Sequence, residues 1–169
     1  MNSVHLQVGG LVAFTVIVLF VALKNNRTAP VNATHTNNGQ TFSASSQLSR
    51  VIDGDTVEIM IDDLPVTVRL DGVDAPESSQ PFGDDSKLFL ARQLEGKTTT
   101  LHFVSNGKYG RKICVVFADG EDVGSMLVKN GLAWATSSEY HEEESEAKST
   151  NARIWSSQDP IHPATWRKK

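Results

Sequence analysis

Three short runs rich in β-branched residues, 48–52, 56–61 and 66–70, succeed one another with only turn chemistry between them, and this constrains the chain more than any other feature. Gly54 punctuates the first pair and Asp62-Asp63-Leu64-Pro65 the second. Such runs, broken by Gly, Asp and Pro, read as a β-meander, because branched side chains suit a pleated surface and those turn residues do not continue a ladder. Apolar runs at 98–104 and 113–118 predict a fourth and fifth strand. Three stretches have helical period. Residues 84–94 carry Leu88, Leu90, Ala91 and Leu94 as an apolar face, ended by Gly96. Residues 122–130 turn Val123, Met126 and Leu127 inward before Gly131, and residues 139–152 start acidic and end basic, as the helix dipole favours. The expectation is an α+β domain over residues 48–169, a small closed five-stranded β-barrel with three helices packed outside.

Upstream the chain changes character. Residues 1–7 are a short N-terminal segment, and residues 8–23 form an uncharged run of 16 residues, VGGLVAFTVIVLFVAL. That length falls between a bare signal core and the ~20 residues of a full membrane span. The run reads as an N-terminal hydrophobic helix acting as a transmembrane anchor. A secretory signal removed by cleavage is the alternative, weakened because no Lys or Arg precedes the run and Phe20-Val21-Ala22 is a poor cleavage site. Residues 24–47, rich in Asn, Thr, Ser and Ala without apolar periodicity, read as a flexible polar linker. Lys24 and Arg27 follow the run, and positive-inside counting alone would leave the domain in the cytoplasm.

Charge and cysteine content narrow the chemistry. Residues 48–169 hold all 20 acidic and 14 of the 16 basic residues, a net −6, which opposes a binder relying on a broadly basic surface. Affinity for an anionic substrate must then come from local positive charge and a bound cation. The single cysteine, Cys114, excludes an intrachain disulfide and a cysteine-based zinc cluster, and its place in Ile113-Cys114-Val115-Val116-Phe117 reads as a buried strand position.

Three motifs could carry a reaction. Asp53-Gly54-Asp55-Thr56 sits at a tight turn, where Asp and Gly are at home without any function. Arg69-Leu70-Asp71-Gly72-Val73-Asp74-Ala75-Pro76-Glu77 runs from a strand into a loop and sets an arginine beside three carboxylates within nine residues, more than a turn requires. Gly107-Lys108-Tyr109-Gly110-Arg111-Lys112 is a basic turn, the densest positive patch apart from the C-terminal tail. Together they suit phosphodiester hydrolysis. Carboxylate and carbonyl oxygens select a hard cation, a carboxylate can activate water, and arginine forks match phosphate oxygens. A glycosidase would also use paired carboxylates but would not call for two arginines.

In these motifs, VIDGDTV, VRLDGVDAPE and KYGRKICVVFADG, followed by VGSMLVKNGLAWA and EAKSTNARIW, the chain resembles the staphylococcal nuclease (thermonuclease) family from about Leu48 to Arg167. The resemblance implies an OB-type five-stranded barrel and a Ca²⁺-dependent endonuclease acting on DNA and RNA. It implies Asp55 and Asp74 as carboxylate ligands of Ca²⁺, with Ala75 giving its backbone carbonyl. Glu77 falls at the general-base position, Arg69 and Arg111 at the phosphate and transition-state positions, and Lys108 and Tyr109 near the bound nucleotide. Tyr140 is a candidate for stacking on a base. The stretch between Glu77 and Tyr109 is shorter than in the best-known member, and the domain is acidic where that member is basic. The alternative is a catalytically silent barrel that binds nucleic acid or protein. Nothing in the sequence points to an obligate protein partner. An anchored nuclease is expected on the extracytoplasmic side, where Ca²⁺ is plentiful and the cell's own DNA is absent.

Overall fold

The computed structural model describes residues 41–42, 48–61 and 63–168; the apolar run 8–23 and most of the polar segment lie outside them. The meander forms as the sequence suggests. β2 (Leu48–Val51), β3 (Thr56–Ile61) and β4 (Leu64–Leu70) pair antiparallel in succession. Val57, Ile59, Val68 and Leu70 alternate along β3 and β4 and turn into the core, each at most 2% exposed. β4 starts earlier than its turn residues implied, with Pro65 opposite Met60. Proline brings no N–H, but β7 (Lys112–Ala118) meets the other edge of β4 only from Val68 onward, so Pro65 breaks no ladder there.

β7 runs parallel to β4 and antiparallel to β6 (Thr99–Asn106), with a register shift between Phe103 and Ser105. β1 (Thr41–Phe42), within the expected linker, pairs with β6, and β8 (Glu121–Asp122) with β7. The sheet order is β1-β6-β7-β4-β3-β2, a curled half-barrel, and β5 (Val73–Asp74) pairs separately with β9 (Trp134–Ala135). All five expected strands are present; the four additional ones among the described residues are two residues each, too short for periodicity to reveal.

Helices cover the sheet. α1 (Gly83–Leu94) buries Gly83, Ser86, Leu90 and Leu94, and leaves Leu88 50% exposed, contrary to the expected inward Leu88. Leu88 lies about 200° around the helix from Leu90, at ~100° per residue, so both cannot face the core. The polar Ser86 is accommodated because its hydroxyl donates to the Leu132 carbonyl at 2.7 Å. α2 (Val123–Lys129) buries Val123 and Leu127 as expected, with Gly124 and Val128 in place of Met126, and is capped by Asp122, which accepts from the Ser125 N–H. α3 (His141–Ser149) is shorter than the acidic-to-basic stretch suggested. A fourth helix, α4 (Pro163–Trp166), has a proline at its first turn and His162 as its cap. Among the described residues no helix is long and apolar enough to cross a membrane.

Two expectations resolve in the core. Cys114 is buried, and burial pushes its thiol up to about 11, so it behaves as a small apolar residue. Tyr140 is no base-stacking residue: it is 2% exposed and its hydroxyl bonds Asp122 Oδ2 at 3.1 Å, so its ring is committed to packing.

Candidate active site

The Asp53–Asp55 turn closes with the Ile52 N–H donating to the Thr56 carbonyl at 2.9 Å and the Asp55 N–H to Asp53 Oδ1 at 3.1 Å. Its centre must be glycine, since a Cβ on Gly54 would stand 2.7 Å from the Ala75 Cβ and 2.8 Å from the Ser86 Cβ. That close approach lets Asp55 reach across to the second motif. Asp55 Oδ2 accepts the Ala75 N–H at 2.7 Å, and Thr56 Oγ1 lies 3.1 Å from Asp55 Oδ1.

Arg69 stands opposite Thr56 in the β3–β4 ladder, so it leaves the sheet beside Asp55. Its guanidinium pairs with Asp55 Oδ2 at 3.0 Å and Asp74 Oδ1 at 2.9 Å, and donates to the carbonyls of Leu70 and Val73 at 3.1 and 3.0 Å. β5 fixes Asp74 against Trp134 of β9. Two buried carboxylates thus share one arginine. Burial pushes the Asp55 carboxyl up to about 7 against the pull of Arg69, with Asp53 and Asp74 adding to the rise and the Ala75 N–H opposing it.

Glu77 lies half-buried at the rim. The Glu77 N–H donates to Gln80 Oε1 at 3.2 Å, and the Gln80 N–H to the Glu77 carbonyl at 2.8 Å. Gly83 closes this loop so tightly that a Cβ there would meet the Glu77 carbonyl oxygen at 2.1 Å. The residue sequence reasoning missed is Arg167. It pairs with Asp74 Oδ2 at 3.1 Å and with Glu77 Oε1, and His162 Nδ1 lies 3.8 Å from the same Asp74 oxygen. Only the basic character of the C-terminal tail signalled it.

The basic turn leads into β7. Arg111 directly precedes Lys112, whose parallel partner is Val68, so its backbone flanks the strand of Arg69. Its side chain donates to the Lys108 carbonyl at 3.4 Å and makes no ion pair with the carboxylates among the described residues. Lys108 is exposed, and Tyr109 is 94% exposed with a φ of 59°. Direct contacts therefore join Asp55, Arg69, Asp74 and Ala75, with Glu77 tied in through Arg167, while Lys108, Tyr109 and Arg111 lie on the turn before β7.

A curled sheet with two buried carboxylates sharing an arginine beside it frames the site, and comparison with known proteins gives its class, a phosphodiester-hydrolysing endonuclease. The family model described as staphylococcal nuclease homologue matches residues 67–157. An uncharacterized endonuclease of Escherichia coli O157:H7 is 35% identical over 70% of this chain and 81% of its own length. An uncharacterized endonuclease of Haemophilus influenzae is 30% identical over 71% of each chain. The micrococcal nuclease of Shigella flexneri is 28% identical, over 72% of this chain and 79% of that protein. The chain belongs to the staphylococcal nuclease family. Asp55 and Arg167 lie outside the span matched by the family model.

Proposed function

We propose that the endonuclease activity belonging to this family is carried here by a Ca²⁺-assisted attack of water on nucleic-acid phosphodiesters, with little discrimination between DNA and RNA. The observation that carries this reading is the pair of buried carboxylates, Asp55 and Asp74, sharing Arg69. Burial disfavours the Asp55 carboxylate even with Arg69 beside it, and a cation bound there would offset that cost.

The donor set suits a hard divalent ion. Asp55, Asp74 and the Ala75 carbonyl offer oxygen alone. Oxygen ligands of this kind would suit Ca²⁺, with Asp55, Asp74 and the Ala75 carbonyl as the residues to hold it. When bound, the cation polarises the phosphate and stabilises charge on its oxygens.

The other steps fall to side chains. Glu77, at the rim, takes the proton of the attacking water. Arg69, anchored by two carbonyls, is preset to face a phosphate beside Asp74. Arg111 reaches the same phosphate from its exposed turn, with Lys108 and Tyr109 flanking the nucleotide. Because the domain is acidic, the cation contributes to substrate affinity as well as to chemistry. Residues 8–23 serve in this reading as an anchor holding the domain outside the cytoplasm, checked by protease accessibility in intact cells.

The experiment is degradation of single-stranded DNA and RNA by the purified chain with Ca²⁺ and then with EDTA. The reading expects turnover of both substrates that stops on chelation. Binding without turnover at high enzyme concentration would favour a silent nucleic-acid-binding barrel instead.

A further inference from the structure

Asp74 is held from two sides. Arg69 takes Oδ1 at 2.9 Å, while Arg167 places Nη2 3.1 Å from Oδ2 and Nη1 3.5 Å from Oδ1. The same Nη1 meets Glu77 Oε1. The two arginines are unequal. The Arg69 side chain is 18% exposed and tied to two backbone carbonyls; that of Arg167 is 48% exposed, and its polar contacts among the described residues are to these two carboxylates.

The tail carrying Arg167 is firmly seated. Gln80 Nε2 donates to the Ile161 carbonyl, and the Trp166 indole N–H donates to Ser79 Oγ at 3.1 Å. The His162 ring packs on Trp134 at 5.4 Å, and its Nδ1 accepts the Ala164 N–H at 3.2 Å. Two of these anchors grip Ser79 and Gln80, next to Glu77, so the tail and the glutamate loop are one unit.

A guanidinium and a divalent ion on one carboxylate repel each other and draw on the same negative charge, so each weakens the other's hold on Asp74. Of the two arginines, Arg167 is the one able to swing into solvent. We propose that Arg167 is a built-in competitor of the cation. It neutralises Asp74 and Glu77 from the C-terminal tail, and cation uptake displaces it from Asp74. The tail thereby sets the metal affinity of the site. This inference rests on Asp55 and Asp74 being the cation ligands.

The test is a Ca²⁺ titration of the full chain by calorimetry, without nucleic acid, comparing wild type with Arg167→Gln, Arg167→Lys, Lys168→Gln and Asp55→Asn. Arg167→Gln is expected to tighten Ca²⁺ binding roughly tenfold, the scale of one charge-assisted pair. Arg167→Lys, a single point charge in place of the fork, should fall between it and wild type. Lys168→Gln removes an equal charge one residue away and should change affinity by less than about twofold. Unchanged or weaker binding by Arg167→Gln, or an equal gain from Lys168→Gln, overturns the proposal. If Arg167→Gln does not fold, Arg167→Lys decides: tighter than wild type supports the competitor, equal or weaker sinks it. Asp55→Asn separates the two levels. If it abolishes uptake while Arg167→Gln changes nothing, only the competitor falls; if it binds Ca²⁺ like wild type, the ligand assignment fails and the competitor with it.

Discussion

Asp55 Oδ2 accepts the backbone N–H of Ala75 at 2.7 Å, and this bond sews the turn before β3 to the loop that carries Asp74 and Glu77. The same oxygen faces Arg69 at 3.0 Å, so its charge is spent on positioning before any ligand arrives. Four consequences can be measured.

The first concerns stability. The folded-state pKa of Asp55 is raised from 3.8 to about 7, so its protonated form favours folding. Its contribution is fully present below about pH 4 and is lost as pH rises to about 7. Asp55→Asn keeps an acceptor for Ala75 and removes the buried charge. Above pH 7 the variant should be more stable than wild type, by up to ~4 kcal/mol at 1.36 kcal/mol per unit. Near pH 4 the difference should vanish. Urea melts across that range check it.

The second concerns activity against pH. A protonated Asp55 cannot ligate a cation, so Ca²⁺-dependent turnover should fall as pH drops through about 7. Raising Ca²⁺ should move the midpoint to lower pH, because the cation and the proton compete for one carboxylate. A profile flat between pH 5 and 8, or insensitive to Ca²⁺, would argue that Asp55 is not a ligand.

The third contrasts two arginines. Arg69→Ala leaves two buried carboxylates without their shared partner and should cost about 3 kcal/mol or more of folding stability. Arg111, on its exposed turn, contacts one backbone carbonyl, and Arg111→Ala should stay within about 0.5 kcal/mol of wild type while losing turnover. Denaturation curves and kcat on the same preparations separate the roles.

The fourth follows from Tyr140. Its hydroxyl satisfies Asp122, the cap of α2. Tyr140→Phe should destabilise the fold by about 1–2 kcal/mol and leave the KM for single-stranded DNA unchanged. A rise in KM without loss of stability would return Tyr140 to the substrate site.

The sequence made the main strands legible because β3 and β4 alternate branched and polar residues while Gly54 and Asp63 interrupt them. It made Asp55, Arg69, Asp74 and Glu77 legible as a cluster because three of the four fall within nine residues. Two-residue strands such as β5 and β9 leave no periodic trace, yet the β5–β9 pair holds Asp74 in place. Leu88 and Tyr140 misled for a common reason: an apolar or aromatic side chain does not announce which way its backbone faces. Arg167 escaped because it comes from the far end of the chain, 93 residues from Asp74, and only tertiary packing brings the two together.

The account turns on Glu77 as the group that activates water. The direct measurement is turnover of single-stranded DNA at saturating Ca²⁺ by Glu77→Gln beside wild type, with Ca²⁺ affinity read on the same samples. The account predicts a fall in kcat of about 10²-fold or more with Ca²⁺ still bound through Asp55 and Asp74. Turnover within a few-fold of wild type would contradict it.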